Sequence, residues 1–211
     1  MAGTKAYFDG LASVYDEEAA AVGWVANDAL RGELAGIPAP ASVLDLACGT
    51  GHTLAALRQV FPGARLMGVD VSPAMAAAAR SAVAGTEVVV GDVTAVVDTW
   101  DRRFDLVTAV GGLEFVPDLP DVLAGMERLV RPGGRLIVTY EPLLDGPGAQ
   151  GEAVTVTPAG HGAAITTFRW TPDMVAEALA DWTWVADHEV DAYQRDGVPV
   201  RYRLVHVRRP G

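Results

Sequence analysis

Ser42-Val43-Leu44-Asp45-Leu46-Ala47-Cys48-Gly49-Thr50-Gly51 is the stretch that decides the fold. It opens with a short apolar run, which reads as a buried strand. An aspartate stands near its end. Cys-Gly-Thr-Gly follows, and then an apolar-periodic segment from Leu54 to Val60 reads as a helix. In a strand, glycine loop and helix of this kind the glycines let a ligand approach the backbone, because they lack a Cβ and tolerate positive φ. The amides that open the helix then point at that ligand.

Downstream the pattern repeats. Arg65 to Asp70 is a second short apolar strand ending in an acid. Ser72-Pro73 starts a helix, with Ser72 as N-cap and Pro73 at the first helical position, and the alanine-rich run Ala74 to Ala84 continues it. Thr86 to Val90 reads as a third strand, ending at Gly91-Asp92, and Phe104 to Val110 as a fourth, ending at Gly111-Gly112. A helix from Asp118 to Val130 stops at Arg131-Pro132-Gly133-Gly134, and Arg135 to Tyr140 is a fifth strand. Apolar strands alternating with helices imply a parallel sheet covered on both faces. Ligands of such sheets bind outside the carboxyl ends of the strands. Asp45, Asp70, Asp92, Gly111 and Glu141 all fall there.

Upstream, Lys5 to Ala35 reads as helical, with Tyr7, Phe8, Leu11, Val14 and Tyr15 largely on one face and a second helix from Asp16 to Leu34. Beyond Glu141, Val154–Thr157 and Ala164–Phe168 alternate like a small hairpin. Thr171-Pro172 opens another helix, and Trp182–Val190 and Val200–Val207 read as two strands joined near Asp196-Gly197. The expected fold class is α/β: a single-domain, doubly wound, mostly parallel seven-stranded sheet with a C-terminal antiparallel strand pair and helices on both faces.

Composition narrows the function. The chain has 211 residues, half of them hydrophobic, and a formal net charge of -11. Nucleic-acid backbones and anionic membranes call for basic footprints, so neither is expected as a partner. A small neutral or cationic substrate fits better. No apolar run approaches the 18 or so residues that span a bilayer. The N-terminus lacks the apolar core of a signal peptide, and Cys48 is the lone cysteine, so a reducing, cytoplasmic setting is expected.

The loop does not read well as a dinucleotide site. A Gly-x-Gly-x-x-Gly pattern would fall on Gly49, Gly51 and Leu54, so the third glycine is missing. Asp45 would also repel a diphosphate. An aspartate there suits a ligand that carries an ammonium group.

These residues resemble the first motif of the class I S-adenosylmethionine-dependent methyltransferases. The resemblance extends to Gly68-Val69-Asp70-Val71-Ser72-Pro73-Ala74-Met75, Gly91-Asp92, Phe104-Asp105-Leu106-Val107 and Leu129 to Leu136, covering residues 42–140 in the family's order. The N-terminal Tyr7-Phe8-Asp9-x-x-Ala12-x-x-Tyr15-Asp16 is similar to the branch that methylates small molecules. The resemblance implies a helical lid over residues 1–40, a cofactor-binding core over 41–140, a substrate-side insert over 141–170 and a closing helix and strand pair over 171–211.

It also implies roles. Asp45 and the loop of Ala47, Cys48, Gly49, Thr50 and Gly51 would hold the methionine end of S-adenosylmethionine. Asp70 would accept from the ribose hydroxyls, and Val71 and Met75 would pack on the adenine. Asp92 would accept from the adenine amino group, with Val93 beside it. Val110 and Gly111 would line the sulfonium region, and Tyr15 would close over the carboxylate end. Phe115 stands where many relatives have a histidine, which makes it a packing contact rather than a base.

For a general base the candidates are Glu114, Tyr140, Glu141, His161 and His188. His161 lies between Gly160 and Gly162, and His206, in a strand of alternating polarity, reads as structural or exposed. The strand-four end, Ala109-Val110-Gly111-Gly112, lacks the Asn/Asp-Pro-Pro-aromatic and Pro-Cys motifs of nucleic-acid base methylation. It also lacks the carboxylates of metal-dependent catechol methylation, so no metal is expected. The resemblance therefore implies direct methyl transfer to a small, apolar or aromatic acceptor by a monomer or homodimer. Binding of the cofactor without transfer, by a cyclase or regulatory module, is the alternative. A nicotinamide-dependent oxidoreductase is a third reading.

Overall fold

The computed structural model describes residues 2–143, 152–156, 165–195 and 197–211. Among them, strands β1 (Ser42–Leu46), β2 (Arg65–Asp70), β3 (Glu87–Val90), β4 (Phe104–Ala109) and β5 (Val130–Tyr140) alternate with helices α4 (His52–Val60), α5 (Pro73–Ala82), α6 (Val93–Thr99) and α7 (Leu119–Leu129). Helices α1 (Ala2–Leu11), α2 (Tyr15–Ala21) and α3 (Ala26–Leu34) precede them. A hairpin of β6 (Glu152–Val156) and β7 (Ile165–Arg169), helix α8 (Pro172–Ala178) and strands β8 (Thr183–Arg195) and β9 (Val198–Arg208) follow. Seven strands form one sheet in the order β3-β2-β1-β4-β5-β9-β8, with β6 and β7 as a separate pair. β1 to β5 run parallel, while β9 is antiparallel to both β5 and β8.

Both faces of the sheet are buried, which accounts for the near-continuous apolar strands. Val43, Leu106 and Ile137 join Leu30, Leu34, Leu54, Leu57 and Ala79 in one core, under α3, α4 and α5. Leu44, Leu46, Val107, Leu136 and Val138 join Val96, Leu123, Met126 and Val175 in the other, under α6, α7 and α8. The period-2 alternation of strand side chains divides each strand between these cores. At the amino ends Asp105 ties three strands together. It accepts from the Ala41 and Ser42 amides, from Ser42 Oγ and from Arg131.

Several elements depart from the sequence expectation. The N-terminal segment is broken twice, at 12–14 and 22–25. The second break lies along β8: Val25 N donates to Ala192 O and Gln194 N to Val22 O. No helix was expected between the third and fourth strands, yet α6 stands there, short and capped by Asp92. Helix α7 stops before residues 131–134 as expected, but these residues are extended chain within β5 rather than a turn, with a register shift opposite Phe104 and Leu106. Ser72, Asp118 and Thr171 cap α5, α7 and α8, each accepting a main-chain amide from three residues on.

Candidate active site

A cleft opens at the carboxyl ends of β1, β2 and β4, the place where ligands of such sheets bind. Tyr15, Ala47, Gly49, Asp70, Val71, Met75, Val93, Gly111 and Phe115 line it, all singled out in the sequence. Thr4, Phe8, Gly112 and Val116, which were not, line it too.

The loop after β1 is held in a contorted form. Ala47 (φ 55), Gly49 (φ 53) and Gly51 (φ 98) all lie in the left-handed region, which costs an L-residue such as alanine roughly 1–2 kcal/mol. Asp70 holds that shape. Its Oδ2 accepts from the Gly49 amide at 2.8 Å and its Oδ1 from the Ser72 amide at 2.9 Å. Gly112 matters for space: a Cβ there would lie 2.3 Å from the Ala47 Cβ. The end of β4 is thus pressed against the loop.

Asp45 is 1% exposed. Its Oδ1 accepts from Thr108 Oγ1 at 2.7 Å, while Oδ2 is buried with no partner. Burial pushes its carboxyl up to about 8; the Thr108 hydrogen bond opposes this and the Asp70 charge adds to it. Burial is also the main cause raising Asp70, against its two amide donors. An unpaired buried carboxylate oxygen costs about 1–3 kcal/mol, so this one is suited to a ligand that brings an N–H donor.

The other members of the predicted set, like Asp45, lie outside the cleft lining. The Cys48 thiol is 5% exposed, and burial raises its pKa. It lies beside Gly68, where a Cβ would come within 2.8 Å of Sγ. Thr50 Oγ1 donates to Asp16 at the start of α2 (2.7 Å), and Gly51 is the N-cap of α4. Val110 is buried in the core under α3. Asp92 Oδ1 accepts from the amide and hydroxyl of Thr94, capping α6.

The N-terminal helices form one wall. Phe8 meets Phe115 edge-on at 5.1 Å and Tyr15 at 6.4 Å. Asp9 Oδ1 accepts from Ser72 Oγ at 2.6 Å, fastening α1 to the cap of α5. Asp9 and Asp16 belong to the same N-terminal pattern as Tyr15, which was the available signal, but neither was given a role from the sequence.

The base candidates separate. Glu114 sits in a 3-10 turn, Leu113–Phe115, between cleft-lining Gly112 and Phe115. It is 4% exposed; Oε1 accepts from Tyr202 at 2.7 Å and Oε2 is buried without a partner. Burial raises it to about 7, opposed by Tyr202 and aided by the Glu141 charge. Glu141 Oε1 accepts from Arg169 Nε at 2.8 Å. Tyr140 is buried in the core under α6 to α8 and lies outside the cleft lining. His188 is exposed on β8, and His161 lies outside the described residues. His206 is buried between Glu33 and Arg135. Because arginine only donates, Nε2 accepts and Nδ1–H faces Glu33. Among the described residues no group of three His, Cys, Asp or Glu is arranged to hold a metal ion, and no helix is long and apolar enough to cross a membrane.

Residues 44–138 match the family described as methyltransferase domain. Over that stretch, a little under half of the chain, the protein is similar to methyltransferase domains. Trans-aconitate 2-methyltransferase of Escherichia coli O139:H28 is 38% identical to this chain over 98 residues, 46% of this chain and 37% of that protein. The chain thus spans little more than a third of the length of the curated relatives it matches. A Burkholderia thailandensis 1,6-didemethyltoxoflavin-N1-methyltransferase, solved with 1,6-didemethyltoxoflavin and S-adenosylhomocysteine, is 25% identical with TM-score 0.69, covering 99% of this chain and 88% of that one. A putative methyltransferase of Haloferax volcanii, solved in complex with the Trm112 methyltransferase activator, shares the fold at TM-score 0.73 and 19% identity, covering 98% of this chain and 97% of its own.

Proposed function

We propose that the protein binds S-adenosylmethionine in this cleft and methylates a small molecule. The observation that carries the reading is the loop between two buried carboxylates. Asp70 shapes it, and Asp45 keeps an oxygen without a donor beside it. A ligand with an ammonium and a diol fits those acceptors; a diphosphate does not.

When bound, the cofactor supplies a methyl group already activated on a sulfonium. The chain's own residues then have four tasks. Asp45 and the loop hold the amino-acid end. Asp70 takes the ribose hydroxyls on the remaining lone pairs of its two oxygens, since a carboxylate has about four acceptor sites. Val71, Met75 and Val93 cover the adenine, with the second oxygen of Asp92 for its amino group. Tyr15, Gly111 and Phe115 enclose the reacting end and keep water out. Orientation of this kind supplies up to roughly 7–11 kcal/mol in favourable cases.

The acceptor is a small molecule with apolar or aromatic surface. The rings of Phe8, Tyr15 and Phe115 support this, as does the acceptor of the Burkholderia relative. Glu114 is the group that takes a proton from it. The test is incubation with S-adenosylmethionine and pooled small-molecule acceptors, with S-adenosylhomocysteine read by mass spectrometry. Acceptor-dependent product is the expected result. Saturable cofactor binding with no turnover for any acceptor would instead support a binding module.

A further inference from the structure

Outside the cleft lining, the largest unexplained feature is an aromatic and acidic corner on the far side of Gly111. Trp24 stacks on Tyr193 at 6.1 Å and meets Tyr202 edge-on at 5.9 Å; Tyr193 and Tyr202 meet edge-on at 6.2 Å. The Trp24 ring lies against Gly111 so closely that a Cβ there would be 2.4 Å from it. Gly111 therefore has the cleft on one side and this ring on the other. The α2–α3 connection and the two strands of the β8–β9 hairpin contribute one ring each.

Glu114 belongs to this corner through its hydrogen bond to Tyr202. Its second oxygen is buried and unpartnered among the described residues. Such an oxygen carries a desolvation cost until a donor reaches it. Glu141, 6% exposed, adds a second carboxylate close enough to raise both Glu114 and Tyr202. The Arg169 guanidinium is already engaged with Glu141. A neutral hydroxyl would satisfy one lone pair; an ammonium would also neutralise the charge, while the Tyr193 ring already has the Arg195 guanidinium over it, 5.5 Å from its centroid. A carboxylate would be repelled by both glutamates.

We infer that the acceptor is an amine, recognised through its ammonium by the free oxygen of Glu114, which stands between cleft-lining Gly112 and Phe115. This rests on the methyltransferase reading and narrows its substrate class. Glu114 then has a second use. One N–H proton passes from the ammonium to Glu114 Oε2, and the nitrogen keeps the electron pair as a neutral nucleophile. Tyr202 holds the carboxyl in place through the other oxygen and does not itself lose a proton.

The experiment is ligand-observed NMR on protein saturated with S-adenosylhomocysteine. The probes are matched fragments that differ only in carrying an amine, an alcohol or a carboxylate: benzyl, phenethyl and cyclohexylmethyl triples. Calorimetry of S-adenosylhomocysteine alone is run first, so that failure of the cofactor reading is seen separately. Amines should bind at least tenfold more tightly than their alcohols, and carboxylates should not bind. Glu114→Gln, an isostere that still accepts from Tyr202, should abolish the amine preference and leave S-adenosylhomocysteine affinity unchanged. Tyr202→Phe should keep the preference, because the carboxylate remains. The inference is overturned if alcohols or carboxylates bind as well as amines, if no amine binds, or if Glu114→Gln keeps the preference while its melting temperature shows it folded.

Discussion

Asp45 and Glu114 share an arrangement that is rare in a folded chain: one carboxylate oxygen hydrogen-bonded to a hydroxyl, the other buried with no donor. Burial lifts Asp45 from 3.8 to about 8 and Glu114 from 4.5 to about 7. Between the ordinary and raised values the folded chain holds protons that the unfolded chain has released. These groups therefore make stability fall as pH rises through that window. His206, whose pKa burial lowers from 6.5, works in the opposite sense over its own range. Thermal melts of Asp45→Asn against the parent chain isolate the first effect. Without ligand, the parent should lose melting temperature relative to the variant between about pH 5 and pH 8. Parallel curves would remove Asp45 from that role.

Asp70 offers a second residue-scale prediction. It was legible in the sequence as an acid closing the second strand. Its grip on the Gly49 amide was not, because that bond joins residues 21 apart through the fold. Asp70→Ala should weaken S-adenosylhomocysteine binding by about 1.5–3 kcal/mol, the range for a hydrogen bond to a charged group. Calorimetry on a variant that still melts cooperatively checks this; unchanged affinity would mean that Asp70 does not meet the ribose.

Among the elements, strand ends and caps were readable from residue chemistry alone. Ser72-Pro73 and Thr171-Pro172 start helices where their hydroxyls predict. Helix α6 escaped because seven residues give too few periods to see, and its cap was read only as a ligand contact. The N-terminal breaks escaped because tertiary contacts to β8 set one of them. The close approach of the β4 end to the β1 loop was also invisible, since Gly112 looked like an ordinary turn glycine. It yields a sharp prediction. Gly112→Ala places a methyl group 2.3 Å from the Ala47 Cβ, so the loop must shift. Overpacking of this kind costs about 1–3 kcal/mol. S-adenosylhomocysteine affinity should fall by tenfold or more, read by calorimetry, whereas Gly63→Ala, in open space, should bind as the parent does.

Across the molecule, alternation of apolar strands and helices was enough to give a doubly wound sheet, and the crevice follows from that topology. The aromatic corner was not legible: Trp24 is far in sequence from Tyr193 and Tyr202, and each alone reads as core. The sheet brings them together only because β9 lies between β5 and β8. The central claim, that the cleft takes S-adenosylmethionine, is met most directly by calorimetric titration of the purified protein with S-adenosylhomocysteine, beside a parallel titration with NADH. Saturable one-to-one binding of S-adenosylhomocysteine and none of NADH is the predicted result. No heat with S-adenosylhomocysteine, from protein shown by mass spectrometry to carry none already, would contradict it.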